Sequence, residues 1–260
     1  LSRVIREEGA LACLQINHAG RFALAAQEPL APSAVETFGR VPEALAKADI
    51  DRIIGQYARA ALLAKTAGFD LVELHGGTGY LLAQFVSPHT NRRTDAYGGS
   101  IENRYRLHDE VVRAVTEVWP SNRVGVRLSP NGVFNDMGSP DYRETFLYTI
   151  KQLNRLDLAY THIMDGLAFG FHEQGDPMTL AEFRAEYDGI IMGNCGYTKE
   201  SAEERLTAGH ADLAAFGRPF ITNPDLPERM KNDWPLTPFE DMSLWYTPGA
   251  KGDTDYQSFI

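Results

Sequence analysis

A chain of 260 residues, 43% hydrophobic and 23% charged, carries enough apolar material for one large α/β domain and leaves no case for disorder. Its formal net charge of −10, with Asp and Glu spread along the sequence, opposes the attraction to phosphate backbones that drives nucleic-acid binding. The two cysteines, Cys13 and Cys195, are too few for a disulfide framework or a zinc knuckle, no apolar run approaches the ~20 residues that span a bilayer, and "LSRVIREEGA" lacks a signal-peptide core. The expectation is a soluble cytoplasmic protein without a metal.

In chain order, six apolar, β-branched runs read as buried strands: "LACLQIN" (11–17), "FDLVELH" (69–75), "RVGVRLS" (123–129), "LAYTHIM" (158–164), "YDGIIMG" (187–193) and "ADLAAFG" (211–217). Helical stretches separate them. In "DIDRIIGQYARAALLAKTAG" the spacing puts Ile53, Ile54, Tyr57, Ala61 and Leu62 on one side, and Gly68 closes the helix. "NRRTDAYGGSIENR" reads as a structural polar loop leading into a helix capped by Ser100, with Asn103 at the capping-box position.

Alternating strands and helices build either an open doubly wound sheet or a closed (β/α)8 barrel. The polar residues favour the barrel: Gln15, His75, Arg127 and the pair Gly193–Asn194 sit at or near strand C-terminal ends, which converge on one mouth in that fold. A barrel needs eight strands and about six βα units are visible here, so the expectation is a single barrel domain over 1–260 lacking its first two strands. Such a domain would expose an apolar interior and two sheet edges.

The stretch "HGGTGYLLAQFVSPHTNRRTDAYGGSIENR" (75–104) carries the chemistry. His75 and Thr78, three apart, can face the same way and offer two hydrogen-bond donors to a carbonyl or nitro oxygen. Tyr80 can supply a proton from another direction. Residue chemistry alone equally allows a satisfied strand-end histidine and a packing tyrosine. His18 and Arg21 have no metal-ligand spacing and read as loop-ordering, and nothing marks Cys195 as activated.

The same stretch resembles the signature of the Old Yellow Enzyme family, the FMN-dependent ene-reductases. "LQINHAGR" (14–21), "GVRLSP" (125–130), "MGNCGYT" (192–198), "FGRPFITNPDL" (216–226) and the tail "WYTPGAKGDTDY" (245–256) are similar to further segments of its classical branch, in order. The resemblance implies a TIM barrel that binds FMN, takes electrons from NADH or NADPH, and reduces the C=C bond of an enone, enoate or nitro substrate. It implies that Gln15 hydrogen-bonds the flavin's polar edge, that Arg127 places positive charge beside the flavin, and that Gly193, Asn194, Gly217 and Arg218 hold its phosphate. His75 and Thr78 would hold the substrate oxygen and Tyr80 would protonate the α-carbon. The alternative is a flavin- or phosphate-binding barrel without ene-reductase activity, and in either case a monomer or homo-oligomer is expected.

Two positions depart from the family pattern. Thr78 stands where the family usually has Asn or His, which predicts altered carbonyl binding. Asp253 stands where the classical branch usually has tyrosine, which predicts a changed substrate choice.

Overall fold

The fold is taken from a computed structural model of the chain, which describes residues 1–239, 242–244, 248–252 and 254–259. Asp253 lies outside the described residues, as does part of the segment 245–256.

A short helix α1 (Ser2–Glu7) leads into strand β1 (Cys13–Ile16), and a two-stranded ribbon follows, β2 (Leu30–Ala31) with β3 (Glu43–Ala44). The chain then alternates: α2 (Lys47–Thr66), β4 (Leu71–His75), α3 (Leu81–Val86), α4 (Ile101–Thr116), β5 (Val124–Leu128), α5 (Tyr142–Leu153), β6 (Tyr160–Ile163), α6 (Leu180–Arg184), β7 (Ile191–Asn194), α7 (Lys199–Thr207), β8 (Leu213–Ala215), α8 (Arg218–Thr222) and α9 (Leu226–Lys231). The six long-range strands pair in parallel in the order β1-β4-β5-β6-β7-β8, so β1 and β8 form its edges. Every run read as a strand from the sequence contains one, although Tyr187 and Asp188 precede β7 rather than belonging to it.

Parallel strands bury both faces, and the period of two divides their side chains cleanly. Val72, Leu74, Val124, Val126, Leu128, Ile163 and Ile191 alternate onto the face that meets the helices and are buried there. Helix α2 supplies Ile50, Ile53, Tyr57, Ala61 and Ala64, α4 supplies Leu107, Val111, Val112 and Val115, and α5 supplies Ile150 and Leu153. Burying each such side chain contributes roughly 1.5–3 kcal/mol before the entropic cost, so this layer holds the sheet to its helices.

Helix α2 corrects one sequence expectation. Leu62 is exposed because the buried stripe runs 50, 53, 57, 61, 64 and turns it away from the sheet, while Ile54, half-buried, packs at the stripe's margin. Gly68, at φ +80°, does close the helix as the left-handed residue beyond Ala67. Ser100 caps α4 by accepting from the Asn103 backbone N–H, while the Asn103 side chain donates to Gly98 O rather than completing a capping box. Within the preceding loop, Asn91 donates to Phe85 O and Tyr97 O at 2.7 Å, so its amide closes the loop on itself.

Candidate active site

His75 is the last residue of β4, and the chain must turn there against the neighbouring strand. A Cβ at Gly76 would lie 2.6 Å from His108 Cε1 and 2.9 Å from Arg127 O, and one at Gly77 would lie 2.3 Å from Ser129 Oγ. Glycine at both positions lets the backbone pass so close to β5. Thr78 then adopts a left-handed conformation (φ +57°), and its hydroxyl comes within 3.2 Å of His75 Nε2. The sequence spacing predicts side chains that face the same way; the tight glycine turn brings the two within hydrogen-bond distance of each other. Tyr80 is the N-cap residue of α3, and its ring packs edge-on to the His75 ring with centroids 5.2 Å apart. His75, Thr78 and Tyr80 therefore form one cluster.

Burial first, and then the nearby Arg127 charge, pulls His75 down to about 4. At neutral pH its ring is uncharged and carries one N–H, while Nδ1 is buried without a hydrogen-bond partner.

On the face of the sheet away from the helices, polar side chains cluster near the strand ends. Gln15 Nε2 donates to Glu73 Oε1 at 2.5 Å, and His162 Nδ1 lies 2.9 Å from Glu73 Oε2. Burial resists the charge on Glu73, but His162, Gln15 and Arg127 overcome it and hold the carboxyl down to about 2. Arg127 pairs across the ladder with His75 on one side and His162 on the other. Its Nη2 reaches Met164 Sδ at 3.0 Å and Asn194 Oδ1 at 3.3 Å. At the start of the edge strand β1, the exposed Cys13 has its Sγ 3.4 Å from Tyr160 Oη.

Sequence reasoning missed Glu73 and His162. The signal was present in the alternation of "LVELH" and "YTHIM", where a polar residue sits two positions from another polar or strand-end residue and thus on the same face.

The four residues expected at a phosphate divide. Asn194 ends β7, and its side chain donates to Ala215 O at 2.8 Å while accepting from Arg127, tying β7 to β8 and β5. Gly193 points the other way: a Cβ there would meet Tyr197 Oη at 2.4 Å and Leu180 Cδ1 at 2.8 Å, so packing under the helices requires glycine. Gly217 caps α8 with open space beside it. Arg218 follows, its guanidinium 4.5 Å from the centroid of the Phe169 ring and with no carboxylate partner among the described residues. At the β7 exit Cys195 is strained at φ +93°, and Gly196 follows at φ +72°, which glycine adopts freely. Gly166 closes against it, since a Cβ there would sit 1.7 Å from Cys195 O.

His18 and Arg21 order loops. His18 Nδ1 accepts from Gly20 N, and the buried Arg21 pairs with Asp136 at 2.9 Å. Among the described residues, no group of three or more His, Cys, Asp or Glu is placed to hold a metal, and no helix is long and apolar enough to cross a membrane.

Residues 1–237 match the NADH:flavin oxidoreductase / NADH oxidase family, which carries FMN. The chain belongs to that family. It is 36% identical to flavin oxidoreductase hxnT of Emericella nidulans, over 98% of this chain and 75% of that protein. Among solved structures it is similar to a morphinone reductase variant in complex with tetrahydroNAD (36% identity, TM-score 0.92, all of this chain and 76% of the other). It is also similar to the old yellow enzyme homologue of Zymomonas mobilis (35% identity, TM-score 0.92, 98% of this chain and 76% of the other). The chain thus spans about three quarters of the length of these relatives, and its curled six-stranded sheet is part of their (β/α)8 barrel. It is an Old Yellow Enzyme-like oxidoreductase whose cofactors are FMN and NAD(P)H.

The polar face suits a flavin. Buried polar atoms almost always find a partner. Here Arg127 Nε, His75 Nδ1 and His162 Nε2 are buried with none, although they belong to neighbouring residues on the same three strands. A planar group rich in acceptors and donors, laid over the strand ends, would meet that need.

Proposed function

We propose that this chain, as one domain over residues 1–260 with six of the strands of a (β/α)8 barrel, binds FMN at the mouth of its sheet. There it reduces the C=C bond of α,β-unsaturated carbonyl or nitro compounds with electrons from NAD(P)H. The observation that carries the reading is the cluster at the β4 exit: a neutral histidine and a hydroxyl 3.2 Å apart, a tyrosine against the same ring, and orphaned buried polar atoms beside them. Bound FMN would supply the hydride.

The chain's own residues would do the rest. Gln15 Oε1 and its remaining N–H offer an acceptor and a donor to the ring edge, since Glu73 is the only partner of its side chain among the described residues. Arg127 brings a permanent positive charge to where the reduced ring gathers negative charge. Asn194 orients that guanidinium, and the backbone at Gly193 and Gly217 together with the Arg218 charge would receive the phosphate.

His75 and Thr78 hold the substrate oxygen and draw electron density from the conjugated double bond. A neutral His75 donates one hydrogen bond without placing a second full charge beside Arg127. Tyr80 holds a proton at Oη and delivers it to the α-carbon as that carbon becomes basic. Thr78 is shorter than an asparagine and can donate or accept, which favours substrates whose oxygen approaches close to the β4 turn.

The test is a visible absorption spectrum of the purified chain supplied with FMN, taken under anaerobic conditions with NADPH or NADH and then with 2-cyclohexenone. A flavin band that bleaches with the nicotinamide and returns with the enone is the expected result. Flavin uptake without reoxidation by enones or nitroalkenes would mean a flavin-binding barrel without this activity, and failure to take up FMN would refute the reading outright.

A further inference from the structure

The proposed substrate clamp depends on a backbone conformation that its own residue disfavours. Thr78 is β-branched, yet it sits at φ +57°, in the left-handed region that glycine and asparagine populate and threonine avoids. Left to its intrinsic preference, the turn would open toward negative φ and carry the hydroxyl away from His75. Something outside the turn must hold it.

Two side chains from the exit of β5 do so. Ser129 Oγ accepts from Thr78 N at 3.1 Å, and Asn135 Nδ2 donates to Thr78 O at 2.8 Å, so both backbone polar groups of Thr78 are fixed by side chains. Asn135 also closes the next position sterically, for a Cβ at Gly79 would lie 2.5 Å from Asn135 Cβ and 2.7 Å from Asn135 O. The asparagine is itself left-handed (φ +55°), as is Asp136 (φ +62°), a conformation asparagine tolerates. Its loop is anchored from beneath, where the buried Arg21 pairs with Asp136, which also binds His89 at 2.9 Å.

From this geometry we propose that Asn135 is a positioning residue. By holding Thr78 in its left-handed conformation it keeps the Thr78 hydroxyl on His75 and so presets the pair that receives the substrate oxygen. The inference rests on the reading of His75 and Thr78 as the oxygen-binding pair. It goes further in assigning the placement of that pair to a residue in a different loop, 57 positions along the chain. A tether on the Thr78 carbonyl, not any contact with substrate, is how Asn135 acts.

The test uses the FMN-loaded, oxidised protein with 2-cyclohexenone as the probe, which binds without turnover and is read as a shift of the flavin's visible band. Asn135→Gly keeps the left-handed backbone and deletes the donor, and Asn135→Asp keeps size and backbone tolerance while replacing the donor with a carboxylate that repels the Thr78 carbonyl. Each is expected to raise the enone Kd about tenfold, the loss typical of one hydrogen bond, with FMN affinity close to that of the wild type and Tm lower by no more than about 5 °C. Thr78→Val is expected to raise it similarly, and the double variant Thr78→Val/Asn135→Gly to bind no worse than Thr78→Val alone, because the tether then has no hydroxyl to place. In the FMN-free chain, the same Asn135 variants should shift the 15N resonance of His75 Nε2 as the hydroxyl leaves it.

Wild-type enone affinity in both Asn135 variants would overturn the proposal, as would penalties that multiply in the double variant. Loss of fold in both variants would overturn it in favour of a role in folding. A wild-type protein that binds FMN but shows no shift with the enone would overturn the functional reading along with it.

Discussion

Glu73 offers the sharpest quantitative test of the polar face. It is 6% exposed, bridges Gln15 and His162, and has its carboxyl held at about 2 against an ordinary 4.5. At ~1.4 kcal/mol for each pH unit between the folded and unfolded values, the ionised carboxylate contributes about 3 kcal/mol to stability at neutral pH. The sign follows from the depressed folded value: the contribution is complete above the unfolded value of 4.5 and is lost as pH falls toward 2. Glu73→Gln keeps the shape and imitates the protonated acid, so it should cost about 3 kcal/mol near pH 7 and little near pH 2, with an intermediate cost at about pH 3. Urea unfolding of wild type and variant, followed by circular dichroism at several pH values in that range, measures it. A cost under ~0.5 kcal/mol at pH 7, or one that stays constant down to pH 3, would refute the claim that the charge on Glu73 is what Arg127 and His162 favour.

Three further outcomes are expected. His75, held down to about 4, should stay neutral from about pH 5 upward; because only the unfolded chain takes up the proton between 6.5 and about 4, stability falls as pH drops through that window. An NMR titration of its ring protons with a midpoint above about 6 would contradict this. Gly166→Ala should cost more than ~3 kcal/mol or prevent folding, since its Cβ would lie 1.7 Å from Cys195 O, and an unchanged Tm by circular dichroism would count against the packing described. Arg218→Ala should raise the FMN Kd at least about tenfold while changing the stability of the flavin-free chain by no more than ~0.5 kcal/mol. Flavin fluorescence quenching reads the former, and an unaltered Kd would remove Arg218 from the phosphate site.

The sequence by itself determined the repeating architecture. Strand positions were legible because buried parallel strands are written as short β-branched runs, and α2 was legible from its apolar period and Gly68. The cluster His75, Thr78 and Tyr80 was legible because it lies within six consecutive residues, where local chain geometry alone limits the separation. Even there the three-residue spacing was not enough, for the glycine-rich turn is what brings the side chains together.

Only the tertiary structure decided what crosses between strands. Glu73, Gln15 and His162 come from β4, β1 and β6, and their contacts depend on strand order and register, which no local pattern encodes. Gly193 and Asn194 are adjacent in sequence yet point to opposite faces, because consecutive residues of a strand must. Leu62 looked like a core residue until the direction of the α2 stripe was set by what it packs against. The conformation of Thr78 belongs to the same class. A threonine's own preference points away from φ +57°, and Asn135, far along the chain, supplies the hydrogen bond that holds it there.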